Sequence, residues 1–235
     1  MIPISDDNPA RLVPLVTCLI IALCVAVYLW ERSLGREMNA AIAVLGFVPA
    51  VISKAHAPPA GFVALSPLAT IFTSMFMHGG ILHIAGNMLY LWIFGNNVED
   101  AMGHLRFAVF YLACGGAAAL TLAWIDPGSR IPMIGASGAI SGVLAAYVLL
   151  FPRARVTVIV PLGIIFYPLA LSAFWVVSFW FVLQLVSAAL SHPQQPGVAW
   201  WAHVGGFGAG LLLTPLFKSA AFPLFGRRRR GPWAR

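Results

Sequence analysis

The spacing of charged positions along the chain predicts where its helices lie. Residues 12–30, 107–125 and 131–152 carry no charge, and two longer charge-free runs occupy 55–98 and 156–217. A helix needs about 20 apolar residues to cross roughly 30 Å of hydrocarbon, so each short run predicts one membrane span. The run at 55–98 opens on His56-Ala57-Pro58-Pro59-Ala60-Gly61, which forms a loop, and leaves one usable span at about 81–97. The run at 156–217 is broken by His192-Pro193-Gln194-Gln195-Pro196-Gly197 and holds two spans, at about 171–190 and 200–217. The segment before Leu171 carries Pro161, Gly163 and Pro168 and reads as an interfacial or re-entrant lead-in. The expectation is an all-α membrane protein of six transmembrane helices. It forms one domain over 1–235, with a core at about 66–217 and a basic tail at 218–235. No internal repeat of the kind seen in many transporters is visible.

Composition supports this and excludes a soluble enzyme. Charged residues make up 9% and apolar residues 60%, against about 25% and 45–50% in ordinary soluble domains. The net charge of +7 does not point to nucleic acid, because Arg227 to Arg230 and Arg235 crowd one end. Such a pile reads as an orientation signal at a membrane surface. Counting Lys and Arg in alternating segments gives ten on one side and four on the other. Both termini are therefore expected in the cytoplasm, in a multi-pass protein of the cell (inner) membrane. The first span is no cleavable signal peptide: Asp6 and Asp7 precede it, its apolar run is too long and no small-residue cleavage site follows. The apolar segment 40–52 is expected in the outer interface. Cys18, Cys24 and Cys114 lack metal-ligand spacing and read as buried packing residues, and Met75 and Met77 as apolar filler.

Spans two, four and six run inward from the outer side. His83 lies 16 residues before Glu99, Ser137 16 before Arg153, and His203 15 before Lys218. At 1.5 Å per residue all three sit about 23 Å above the cytoplasmic boundary, and Asn87 lies one turn deeper on the His83 face. Alone, Ser137 reads as a small packing residue and each histidine or the asparagine as a helix-to-helix hydrogen bond. Their common depth argues against four separate packing roles. Gly138 and Gly142, and Gly206 and Gly210, are spaced to let spans four and six press together with Ser137 and His203 at the top of the contact. A serine hydroxyl needs an adjacent base to become a nucleophile. With no Asp or Glu expected inside any span, the constellation is a Ser–His dyad. His83, Asn87 and the Ser137 amide can serve the developing oxyanion.

These residues resemble the rhomboid intramembrane serine proteases, of the prokaryotic type with a six-helix core. The matching motifs are Gly135-Ala136-Ser137-Gly138, His78-x4-His83-x3-Asn87, Ala202-His203-x2-Gly206-x3-Gly210 and Gly95-x3-Glu99-x3-Gly103. The resemblance implies Ser137 as nucleophile, His203 as general base, and His83, Asn87 and the Ser137 amide as the oxyanion site. It implies cleavage of transmembrane protein substrates near the outer membrane boundary, with no metal and no cofactor. The chain departs from some members in two places. Ser141 stands where they place a tyrosine against the histidine, and the first outer loop lacks their Trp-Arg pair. Two other readings are a catalytically inactive client-binding relative and a small channel or transporter. Span five is rich in aromatics (Phe174, Trp175, Phe179, Trp180, Phe181) and lacks glycine. With the loop above it, it is expected to form a lateral gate.

Overall fold

The computed structural model describes residues 1–53, 66–162, 165–191 and 197–226. The loop at 54–65, Gly163, the break at 192–196 and the arginines from Arg227 onward lie outside the described residues. Among the described residues six long helices occupy the expected positions: α1 (Leu15–Ser33), α2 (Ile81–Met102), α3 (His104–Ile125), α4 (Ser137–Leu150), α5 (Ala173–Leu190) and α6 (Trp200–Phe217). By length and composition α1, α3 and α5 can each cross a membrane, and α4 is a shorter apolar helix. The core lies where α6 packs on α3 and α4, with α2 behind α4 and α1 outside α2.

The expectation of an all-α fold is corrected. Strands β1 (Ile2–Asp6), β2 (Arg155–Leu162) and β3 (Ile165–Ser172) form an antiparallel sheet in the order β1-β2-β3, so the supposed lead-in to span five is a strand. Its cause is the β-branched run Val156-Thr157-Val158-Ile159-Val160, which buries Val156 and Val158 in the core. Pro3 and Pro168 fall on the two edge strands, where a missing N–H is tolerated. The described part of the basic tail, residues 218–226, is tied to the bundle. The Ser219 amide donates to the Ala101 carbonyl, the Phe225 amide to that of Leu149, and Arg153 to that of Phe225.

Helices α1 and α2 run on past the charges that ended the expected spans. Glu31 in α1 and Glu99 in α2 are fully buried. Helix α1 begins after Pro14 without a side-chain cap of its own. Glu99 caps it from the neighbouring helix, accepting from the Val16 amide (2.9 Å), the Thr17 amide (2.8 Å) and the Thr17 hydroxyl (2.6 Å). Free N–H groups and the helix dipole both favour a carboxylate there. His104 Nδ1 lies 2.5 Å from the same carboxylate.

The segment 40–52 packs onto the bundle. Phe47 is fully buried and exchanges two backbone hydrogen bonds with Met133 (3.0 and 2.8 Å), which ties this segment to the loop leading into α4. Met75, Met77, Cys24 and Cys114 are buried as expected, whereas Cys18 is exposed on α1.

Candidate active site

The site is built on the contact between α4 and α6. A Cβ added at Gly206 would overlap the Gly138 carbonyl, and one at Gly210 the Gly142 carbonyl. Only the bare glycines let the backbones touch, as their four-residue spacing predicts. Ser137 is the first residue of α4, His83 the third of α2 and His203 the fourth of α6. All three therefore sit in the first turn of helices that begin at the same layer. There the Ser137 hydroxyl donates to His203 Nε2 at 2.7 Å. That distance is within reach for a base taking the hydroxyl proton.

The chain enters α4 through Gly135, whose φ of +116° suits only glycine. The Gly135 amide donates to the Ser74 carbonyl at 2.8 Å. A Cβ at Gly135 would lie 2.6 Å from His83 Nε2 and 3.5 Å from Asn87 Nδ2, so both side chains face the backbone just before Ser137. Asn87 is buried, and its Nδ2 donor has no partner among the described residues. The Ser137 amide, at the first position of α4, belongs to the N–H groups that a helix leaves without an internal acceptor. His83, Asn87 and the α4 N-terminus thus meet around the Gly135 backbone that leads into Ser137. His83 opens onto a cavity of about 710 Å³ that is also lined by Met133, Ser137, Trp200, Trp201 and His203.

Sequence reading missed one member of the group. Gln184 on α5 is buried, and its Oε1 accepts a hydrogen bond from His203 Nδ1 at 2.8 Å. A lone amide in an otherwise apolar helix was the available signal. Ser141 does not contact the histidine; its hydroxyl donates to the Ser137 carbonyl at 2.7 Å. The His203 ring has two aromatic neighbours, Trp180 and Trp200, with centroids 6.1 and 6.0 Å away. Of the other α5 aromatics, Phe181 stacks on Phe207 of α6 at 3.9 Å, while Phe174, Trp175 and Phe179 are exposed. His78 is fully buried. Its amide donates to the Glu31 carboxylate (3.1 and 3.3 Å) and its ring meets the edge of His83 at 5.1 Å. Glu31 thereby anchors the turn that precedes α2. No group of three or more His, Cys, Asp or Glu suited to hold a metal ion occurs among the described residues.

Comparison with known proteins places this geometry. The sequence model of the Rhomboid domain matches residues 66–220, about two thirds of the chain. The chain belongs to the rhomboid family. It is accordingly a membrane protein, consistent with its three apolar helices of spanning length. Among curated relatives, Rhomboid protein 1, mitochondrial, of Saccharomyces cerevisiae is 35% identical over 39% of this chain and 28% of its own length. RHOMBOID-like protein 4 of Arabidopsis thaliana is 32% identical over 68% of this chain and 36% of its own. Inactive rhomboid protein 1 of Drosophila melanogaster is 36% identical over 35% of this chain and 6% of its own. The chain thus spans well under half the length of each of these relatives. One of these relatives is named an inactive rhomboid, so the assignment of chemistry rests on the site.

Proposed function

We propose that this rhomboid is an intramembrane serine endopeptidase that cleaves transmembrane segments of membrane proteins near the outer membrane boundary. The observation that carries the reading is the Ser137–His203 hydrogen bond at 2.7 Å. In the proposed reaction Ser137 Oγ attacks the scissile carbonyl carbon as its proton passes to His203 Nε2. The resulting oxyanion takes hydrogen bonds from Asn87 Nδ2, His83 and the Ser137 amide. His203 then protonates the departing amine, and water attacks the acyl-enzyme with His203 again as base.

In this reading all six long helices span the membrane with both termini in the cytoplasm, following the ten-to-four distribution of Lys and Arg. The chain is one membrane domain of the cell (inner) membrane, and the bilayer and transmembrane substrates are its partners. The inactive client-binding alternative draws on the similarity to Inactive rhomboid protein 1; the presence of both dyad residues in bonding geometry argues against it. The test is cleavage of a single-pass reporter protein co-reconstituted with this chain in vesicles. Products cut within the reporter's transmembrane segment, absent with Ser137→Ala, are expected. Reporter held intact by wild type would favour the client-binding reading.

A further inference from the structure

The dyad has a third polar member, and it rides on a different helix from both catalytic residues. Gln184 is 6% exposed and His203 7%. Gln184 Nε2 donates to the Trp180 carbonyl one turn earlier on α5 at 3.2 Å. That bond decides which end of the amide faces the histidine. Flipping the amide would set its oxygen against the Trp180 carbonyl and its NH2 against Nδ1, losing the first bond outright. With Oε1 facing Nδ1, the ring nitrogen there must carry its hydrogen, which leaves the lone pair on Nε2 for the Ser137 proton. The polar groups around the ring are Ser137 from α4, His83 from α2 and Gln184 from α5; no ion pair to His203 occurs among the described residues.

We infer that Gln184 is a positioning residue that fixes the tautomer and tilt of His203, so that this chain works as a Ser–His–Gln relay. The inference rests on the protease reading above and deepens it. Gln184 replaces by hydrogen bonding what a packed tyrosine would do at position 141. It also ties chemistry to helix position, because Gln184 belongs to α5 and His203 to α6. Any movement of α5 that separates the two at this level removes the acceptor from Nδ1. The base is oriented only while α5 is docked on α6, so admission of a substrate past α5 and attack by Ser137 are successive steps.

The test compares wild type, Gln184→Met and Gln184→Glu as full chains in detergent. It measures labelling rate with a fluorophosphonate, the thermal midpoint, and the 15N–1H correlation spectrum of the His203 ring. Methionine keeps the length of the side chain and deletes the acceptor; glutamate restores an acceptor. Labelling of Gln184→Met should slow about 10- to 100-fold at a midpoint close to wild type. That is well short of the roughly 10⁴-fold loss when a serine protease's orienting aspartate becomes asparagine. Its ring spectrum should change from one Nδ1–H tautomer to a mixture, and Gln184→Glu should recover most of the rate. Equal labelling of wild type and Gln184→Met would overturn the positioning role alone. Loss of rate in both variants in parallel with loss of midpoint would also overturn it, as a packing role. If Gln184→Met fails to fold, a wild-type rate and ring spectrum in Gln184→Glu support the inference, and a slow rate at a normal midpoint refutes it. Absence of labelling in wild type would instead strike down the protease reading itself.

Discussion

Replacing Asn87 by alanine separates catalysis from stability, because its amide donor is idle in the resting structure. Asn87 Nδ2 is buried without an acceptor among the described residues, and an unmet buried donor costs about 1–3 kcal/mol. Such a cost is tolerated where the group acts at another moment. A Cβ at Gly135 would lie 3.5 Å from Nδ2, so the amide sits beside the backbone that leads into Ser137. Removing the amide therefore deletes no hydrogen bond made by Nδ2 in the free enzyme. Relief of the unmet donor offsets the loss of packing, also about 1–3 kcal/mol, so the thermal midpoint should move little. In the transition state one preorganised donor disappears, which corresponds to about 2.7–4 kcal/mol, or 10²–10³ in turnover. Asn87→Asp, which keeps the shape and removes the donor, should fall by at least as much. The assay is turnover of a reporter transmembrane substrate and thermal midpoint on the same detergent-purified sample. Normal turnover with a lowered midpoint would refute the argument and make Asn87 a packing residue.

Other predictions follow from the same contacts. Gly206→Ala, whose Cβ would meet the Gly138 carbonyl, should lower the midpoint by roughly 2–4 °C per kcal/mol of an expected 1–3 kcal/mol overpacking cost, and should reduce labelling of Ser137 as α4 and α6 separate. An unchanged midpoint would show that the helices have slack. Burial of the Asp6 carboxyl on the sheet pushes it up to about 6 against an opposing hydrogen bond from Tyr147, with Asp7 adding to the rise. A raised carboxyl stabilises the fold below its unfolded value near 3.8, and that contribution is lost as pH rises through 6. Asp6→Asn should therefore have a higher midpoint than wild type above pH 6, relative to their difference below pH 4; a pH-independent difference would contradict this. Phe181→Ala, which removes the stack on Phe207, should raise the rate on a transmembrane substrate, whose entry past α5 is slow, and lower fluorophosphonate labelling only slightly, as α5 holds Gln184 against His203 less firmly. A fall in both would mean that α5 is purely structural.

Much of this site was legible because membrane helices obey few rules strictly. Ser137, His83 and His203 stood out because polar residues at one depth of an apolar run need a reason. Gly138, Gly142, Gly206 and Gly210 showed which helices touch. Gln184 was hidden by its own helix. Its partner is 19 residues away along the chain, and only the packing of α5 on α6 brings the two within bonding distance. The burial of Glu31 and Glu99 inside helices was not legible, because each charge was taken to mark a boundary. A carboxylate that accepts from backbone N–H groups is stable in the interior: Glu99 meets those of Val16 and Thr17, and Glu31 that of His78. The sheet escaped notice for two reasons. Pro161 and Pro168 outweighed the β-branched run beside them, and β1 pairs with residues about 150 positions further on, as in Ile2 with Ile159, a pairing no local pattern reveals.

The most direct test of the central claim is the intact mass of the purified chain after reaction with a fluorophosphonate, with the adduct mapped by peptide sequencing. Ser137 Oγ should displace fluoride from phosphorus and yield a single adduct on Ser137. Both Ser137→Ala and His203→Ala should abolish it, the double variant being no worse than either alone, because the pair acts as one unit. An adduct on another residue, or labelling that persists in His203→Ala at the wild-type rate, would contradict a nucleophile at Ser137 activated by His203.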